Sequence, residues 1–307
     1  MSLPQQITPR IYLLGSTYFN LYLVKGETYA IVEGGVSGVT FPFLDQLAQL
    51  GVSPESITHL VILHSHFDHM MVFLFLRERF PWMKIVSSEL NRAVFSNERI
   101  LSKIFESDRR VTAAMVERGL VSGGPTLSSP PSFPLDIPLR EGSRLDLGSG
   151  VTLKFIETPG HAPDCLAAHE ERESALFCSD AAGFYAPPDF HRPNHWFSLA
   201  KAVTSIDKMR SLGADTLCSG HYGVLAGKEN VRAHLERAGK AIEDFRSFVR
   251  ERTQQGDSMD RIAQEVTEKF SRGFLEFFPA QENFHLWRLL VRRTLEDLGI
   301  DTGETQK

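Results

Sequence analysis

His64-Ser65-His66-Phe67-Asp68-His69 follows directly on the apolar run Thr58-His59-Leu60-Val61-Ile62-Leu63. A continuous, β-branched-rich run of that length reads as a buried strand over 58–63. Three imidazoles and one carboxylate then crowd six positions at its C-terminal end. Left without partners in a protein interior, such groups would cost several kcal/mol of desolvation. A divalent cation removes that cost, since neutral imidazole and carboxylate are its natural donors. The stretch predicts a metal site at a strand end.

Working outward, three more donors stand at strand-to-loop junctions. They are His161 in Thr158-Pro159-Gly160-His161, Asp180 in Phe177-Cys178-Ser179-Asp180, and His221 in Ser219-Gly220-His221. Singly, each reads as a turn residue or a hydrogen-bonded core histidine. Together they are the separated ligands that a compact cluster on one loop lacks. All seven donors are nitrogen or oxygen, which admits zinc, iron and manganese. Cys165, Cys178 and Cys218 lie near ligands in sequence, but free cysteine is most often a small core residue.

The surrounding pattern is α/β. Residues 10–14, 21–24 and 29–32 read as short strands, the last two joined by a turn at Lys25-Gly26-Glu27. Helices over 41–50 and 71–80 and a strand at 84–87 make a βαβ-like arrangement with strand 58–63. A charged helical stretch runs from 89 to 121, followed by a Pro/Ser-rich connection over 128–134. Strands return at 151–156, 166–169, 175–178 and 216–218, with a helix over 198–212. After Gly227 no strand signal remains, and 231–252, 259–270 and 283–298 read as three helices.

The 307 residues carry 33 Lys+Arg against 38 Asp+Glu, a formal charge of -5. A mildly acidic chain matches nucleic acid poorly, because that groove needs a basic surface. No run approaches the roughly 18 apolar residues of a membrane span. Met1-Ser2-Leu3-Pro4-Gln5-Gln6 lacks the basic patch and apolar run of a signal peptide. Three sparse cysteines suit reduced thiols. The expectation is a cytoplasmic protein acting on a small molecule, with no nucleic acid, no membrane, and a homodimer admitted.

H-x-H-x-D-H, then a distant His, an Asp and a last His, resembles the signature of the metallo-β-lactamase superfamily, with all seven positions filled. The resemblance runs from Tyr12 to about Leu225. It implies a four-layer αββα sandwich with the site at one edge of its two sheets. The expected division is a catalytic domain over 1–226 and a C-terminal helical cap over 227–307. By the same resemblance His64, His66 and His161 bind a first metal, Asp68, His69 and His221 a second, and Asp180 bridges them.

Within the superfamily, Glu33-Gly34-Gly35-Val36-Ser37, Phe177 to Gly183 and the helical tail with Phe278-Pro279 are most similar to the glyoxalase II and quinolone-signal thioesterase type. That similarity implies a hydrolase holding two divalent ions, zinc or iron. It would use a hydroxide bridging the metals on a thioester or ester bond of a small acyl substrate. Asp68 is the candidate to accept and pass on a proton. Met70-Met71 follow the Asp-His pair where many of the family's hydrolases have Gly, and Glu33 stands where the family has Asp. Glu33 is expected to orient a ligand histidine; a solvated turn acid is the plain alternative.

The loop from Gly183 to Phe197 is dense in aromatic residues and follows Asp180. Phe184, Tyr185, His191, His195 and Trp196 are therefore candidates to edge a substrate pocket. In the tail, Phe274, Phe277, Phe278, Phe284 and Trp287 cluster, a density that core packing explains on helices. A tail folded over the metal mouth would instead bring Phe277, Phe278 and His285 around an aromatic or apolar acyl group.

Two other functions compete. A mono-iron persulfide dioxygenase-like enzyme would leave some ligand positions idle. A ligand-sensing protein would keep its metal for structure, with Arg232, Arg237, Lys240, Arg246 and Arg250 facing a partner. A solvated basic face is the plainer reading of those residues. Flavodiiron-type electron transfer is disfavoured by the lack of a flavodoxin-like segment after residue 225.

Overall fold

The apolar runs at the N-terminal end pair into a seven-stranded sheet. Its order is β1 (Gln5–Gln6), β2 (Ile11–Gly15), β3 (Asn20–Lys25), β4 (Tyr29–Val32), β5 (Ile57–Ile62), β6 (Lys84–Ser88) and β7 (Ile137–Leu139). The first four strands are antiparallel, and β4 to β7 are parallel. A second sheet is formed by β8 (Arg144–Gly148), β9 (Val151–Glu157), β10 (Leu166–Glu170), β11 (Ala175–Ser179), β14 (Thr216–Ser219) and β15 (Val224–Ala226). Its order is β15-β14-β11-β10-β9-β8, and only the β11–β14 pair is parallel. The computed structural model describes residues 3–130, 132–186 and 190–303. Position 131 of the Pro/Ser-rich connection and 187–189 of the aromatic loop lie outside them, as do 1, 2 and 304–307.

Val32, Val61 and Val86 of the first sheet and Leu153, Phe155 and Phe177 of the second belong to one buried cluster. Each such side chain contributes about 1.5–3 kcal/mol by leaving water. The opposite face of the first sheet is buried as well, through Leu21, Leu23, Ile31, Leu60, Ile62 and Ile85. That is why β3 and β5 read as continuous apolar runs and not as alternating ones. Helix α1 (Thr40–Gln49) packs on β2, while α2 (Met71–Arg79) and α3 (Asn91–Phe95) pack on β6. The expected helix over 89–121 is broken at Ser96-Asn97, because the Asn97 side chain accepts from Ile100 N and starts α4 (Glu98–Glu117) anew.

Helix α4 ties down the segment after β4. Asp108 accepts from Ser37 N at 2.7 Å and from Ser37 Oγ at 2.5 Å, and Thr112 Oγ1 accepts from Gly38 N at 3.1 Å. Burial pushes the Asp108 carboxyl up to about 6, against the lowering effect of the Ser37 bonds. An acid raised on folding binds its proton more tightly in the native state, so stability falls as pH rises between the unfolded and folded values. With an ordinary value of 3.8, about 2 kcal/mol is lost from pH 4 to 6.5. Asp108→Asn should remove that slope. The check is urea unfolding of both proteins across this range, where wild type minus variant should decline by about 2 kcal/mol.

The chain divides into two compact units. One comprises Met1–Glu157, Asp164–Ser179 and Ala214–Val231; the other comprises Thr158–Pro163, Asp180–Gly213 and Arg232–Lys307. Both sheets lie in the first. The second contains the short antiparallel pair β12 (Phe184–Ala186) and β13 (Phe190–Arg192), then α5 (Leu199–Ser211). It also contains most of α6 (Lys228–Gln254), together with α7 (Met259–Phe270) and α8 (Ala280–Asp297). Helices α7 and α8 pack on each other, with Trp287 between Phe270 at 5.4 Å and Trp196 at 5.3 Å. No helix among the described residues is long and apolar enough to cross a membrane.

Candidate metal centre

In the first unit the C-terminal ends of β4, β5, β11 and β14 bring one set of side chains together. His64 to His69 leave β5, and residues 67–69 close a single 3-10 turn. The turn is braced from both sides. Asp164 Oδ2 accepts from Ser65 N at 2.7 Å, and Gly34 N, just past β4, donates to the His69 carbonyl at 2.9 Å. Gly34 is required by this approach, because a Cβ there would stand 2.8 Å from Met70 Cα. Met70 and Met71 are fully buried. They pack into the core in this unit.

Three imidazoles of this unit have their ring orientation set through Nδ1. His69 donates to Glu33 Oε2, and His221 donates to the Tyr18 carbonyl at 2.6 Å. His64 Nδ1 shares a hydrogen bond of 3.0 Å with Ser179 Oγ. An Nδ1 that donates leaves Nε2 with its lone pair, the form that ligates a cation. The turn carrying His221 is itself held by Tyr22 Oη and Asn20 Nδ2, which donate to the Ser219 carbonyl at 2.6 and 2.8 Å. Three non-glycine residues of this group have left-handed backbones: Glu33 at φ 70°, Ser179 at 48° and Tyr222 at 57°. Such conformations cost of order 1 kcal/mol each and gather at functional sites.

Ligand atoms of Asp68, His69 and His221 lie within 4.8 Å of one another. Asp68 Oδ2 is 3.5 Å from His69 Nε2 and 3.6 Å from His221 Nε2. Those separations are long for a charge-assisted hydrogen bond. They match the edges of a coordination shell, since donors about 2.1 Å from a tetrahedral cation stand about 3.4 Å apart. The three residues fit a divalent metal. His64 and Asp68 are buried, while His66 is exposed with its ring 4.6 Å from that of His64.

Glu33 is 1% exposed and sits behind His69, as expected of a residue that orients a ligand. Glu33→Gln keeps the shape but weakens the acceptor. Metal affinity of the Asp68, His69 and His221 group should fall about 10- to 100-fold, as measured by competition with a chelator.

The second unit carries the other two donors. His161 donates through Nδ1 to the Asn194 carbonyl at 2.9 Å, and its Nε2 is 3.5 Å from Asp180 Oδ2. Asn194 Nδ2 in turn donates to that same oxygen at 3.3 Å, and Asn194 Oδ1 accepts from Trp196 Nε1 at 2.7 Å. Asn194 thus sets both His161 and Asp180. The sequence offered no local signal for this role, nor for those of Asp164 and Ser179.

The expected pocket residues separate. Phe184 is buried under the Arg192 guanidinium, 3.9 Å from the ring centre, and meets Phe274 at 5.7 Å. Phe277 is buried, and Phe278 is half-buried, 6.2 Å from Phe274. Tyr185 and His191 stack at 4.8 Å. His195 does not edge a pocket: it is fully buried, bonded through Nε2 to Thr294 Oγ1 at 3.0 Å and packed on Phe245. Burial pushes it down to about 3, so it is a neutral core histidine. His285 is exposed beside Phe284 on α8.

The sequence pattern of the Metallo-beta-lactamase superfamily matches residues 18–221, the span that holds every donor described above. The chain belongs to the metallo-beta-lactamase superfamily. Its mixed α/β architecture is the superfamily's αββα sandwich fold followed by C-terminal helices. A superfamily protein from Thermus thermophilus superposes with a TM-score of 0.66 at 21% identity, covering 96% of this chain and 95% of that one. Among curated relatives, coenzyme F420H(2) oxidase of Methanothermobacter marburgensis is 30% identical over 179 residues, 56% of this chain and 36% of that protein. Diflavin flavoprotein A 1 of Synechocystis sp. strain PCC 6803 is 23% identical over 243 residues, 73% of this chain and 36% of that protein. The chain spans about a third of the length of the curated relatives it matches.

Proposed function

We propose that this member of the superfamily is a metal-dependent hydrolase of a thioester or ester bond in a small acyl substrate. Two divalent ions would be held by His64, His66, Asp68, His69, His161, Asp180 and His221. The placement of Asp68 carries the reading: a buried carboxylate, 3.5 and 3.6 Å from two imidazole nitrogens whose rings are locked from behind. When bound, divalent ions supply Lewis-acid activation of water and of the acyl carbonyl. The Asp68 carboxylate is the group that takes and returns the proton. Asn194 keeps His161 and Asp180 in ligating orientation, and Glu33 does the same for His69.

Phe278, half-buried beside Phe274, is assigned to the acyl moiety. Phe278→Ala should raise KM for an aromatic acyl thioester about tenfold and leave KM for the acetyl thioester unchanged. Equal effects on both substrates would assign Phe278 to packing.

A second reading has its own support. Two histidines with one carboxylate also suit iron(II), and curated relatives are named as an oxidase and a diflavin flavoprotein. One experiment decides between them. Elemental analysis of protein purified without added metal is paired with a panel of acyl-CoA, glutathione thioester and aryl ester substrates. Two metals per chain with turnover on the panel supports the hydrolase. One iron, no turnover and oxygen consumption with a persulfide or a reduced flavin overturns it.

A further inference from the structure

The second unit holds a cavity of about 420 Å3, lined by residues of α6, α7 and the segment at β13. None of the metal donors lines it. Phe245, Phe248 and Phe270 give it an apolar wall, and His191, Arg237 and Lys269 add polar groups. Its size is that of a small-molecule site.

The charge balance around this wall is uneven. Of its two acids, Asp244 is held by Lys240 at 2.5 Å and Glu265 by Arg252 at 2.8 Å. Arg237 and Lys269 form no ion pair among the described residues, so two positive charges stand uncompensated. His234, behind His191 at 5.3 Å between ring centres, adds no charge at neutral pH. Burial, with help from His191 and Arg237, pushes it down to about 4.

The cations and the rings are placed to act on one molecule. Lys269 Nζ lies 5.1 Å from the Phe270 ring centre and 5.9 Å from that of Phe248. An aromatic body stacked on these phenyls would hold an attached carboxylate against the ammonium, with Arg237 on the same cavity wall. Neither a bare anion nor a neutral arene would use both features.

We propose that this cavity binds a small aromatic carboxylate. The proposal stands apart from the hydrolase reading. Calorimetric titration with 2-naphthoate tests it, with 2-naphthamide and acetate as probes lacking the charge or the ring. Trp287, in contact with Phe270, gives a parallel fluorescence readout. The naphthoate should bind at least tenfold more tightly than the amide and a hundredfold more tightly than acetate. The double variant Arg237→Gln/Lys269→Gln should lose at least tenfold in naphthoate affinity, and Asp68→Ala should keep it.

No binding of the naphthoate, or equal binding of the amide, overturns the proposal. So does a loss confined to Asp68→Ala, which would place the carboxylate at the metal centre. A concentration-dependent dimer abolished by the double variant overturns it as well, by assigning the cavity to a second copy of the chain.

Discussion

Asp68→Ala should strip the metal from its group and halt turnover, the largest functional effect of any single substitution in the protein. Its carboxylate supplies one of three donor atoms that lie within 4.8 Å of one another. Structural zinc sites with four ligands bind with about 10–16 kcal/mol, so one ligand is worth roughly 3 kcal/mol, or a hundredfold or more in affinity. On the proposed hydrolase reading, loss of the proton carrier adds a factor of about 100 to 10,000 in rate. Asp68→Asn separates the two contributions, since it keeps an oxygen donor but cannot take the proton. Elemental analysis should show the Ala variant short of metal and the Asn variant closer to wild type, with both severely slowed. If Asp68→Asn retained wild-type turnover, Asp68 would be a ligand only.

Gly160→Ala should be the most damaging small substitution for stability. Gly160 has φ 148°, and a Cβ there would stand 2.4 Å from Ala202 Cα and 2.6 Å from Ala202 Cβ. The obstacle is the backbone of α5 itself, which cannot swing aside as a long side chain can. Gly160 is also held by its carbonyl, which accepts from Phe197 N and Ser198 N at 3.0 Å each. Backbone strain combined with a steric clash costs more than about 4 kcal/mol. Denaturant unfolding should report that loss, and His161, the next residue, would lose its approach to Asn194. Serine at this position carries the same Cβ and should fare no better.

The candidate donors were legible because four of them are consecutive or nearly so, and the rest follow strand signals that are themselves strong. The role of Glu33 was legible through the resemblance alone, since it stands where the superfamily has Asp. The supports were not legible, because they come from far along the chain: Ser179 for His64, Asp164 for Ser65, the Tyr18 carbonyl for His221. Nor could the sequence tell apart the histidines of the aromatic loop. His191 lines a cavity while His195, four residues on, is sealed against Thr294. Strand β7 carries no strand signal because Ile137-Pro138-Leu139 contains a proline, which is tolerated here at the edge of the sheet. The pattern over 89–121 runs through the break before α4 because Asn97 differs from any other polar residue only in accepting from Ile100 N.

The interleaving of the two units has a consequence for synthesis. A ribosome has delivered all seven donors once residue 221 has emerged. Asn194, which sets His161 and Asp180, directly precedes His195 and Trp196, and these rest on Thr294 and Trp287 of α8. The support behind His161 and Asp180 is therefore expected to be complete only after α8 has been made, late in synthesis.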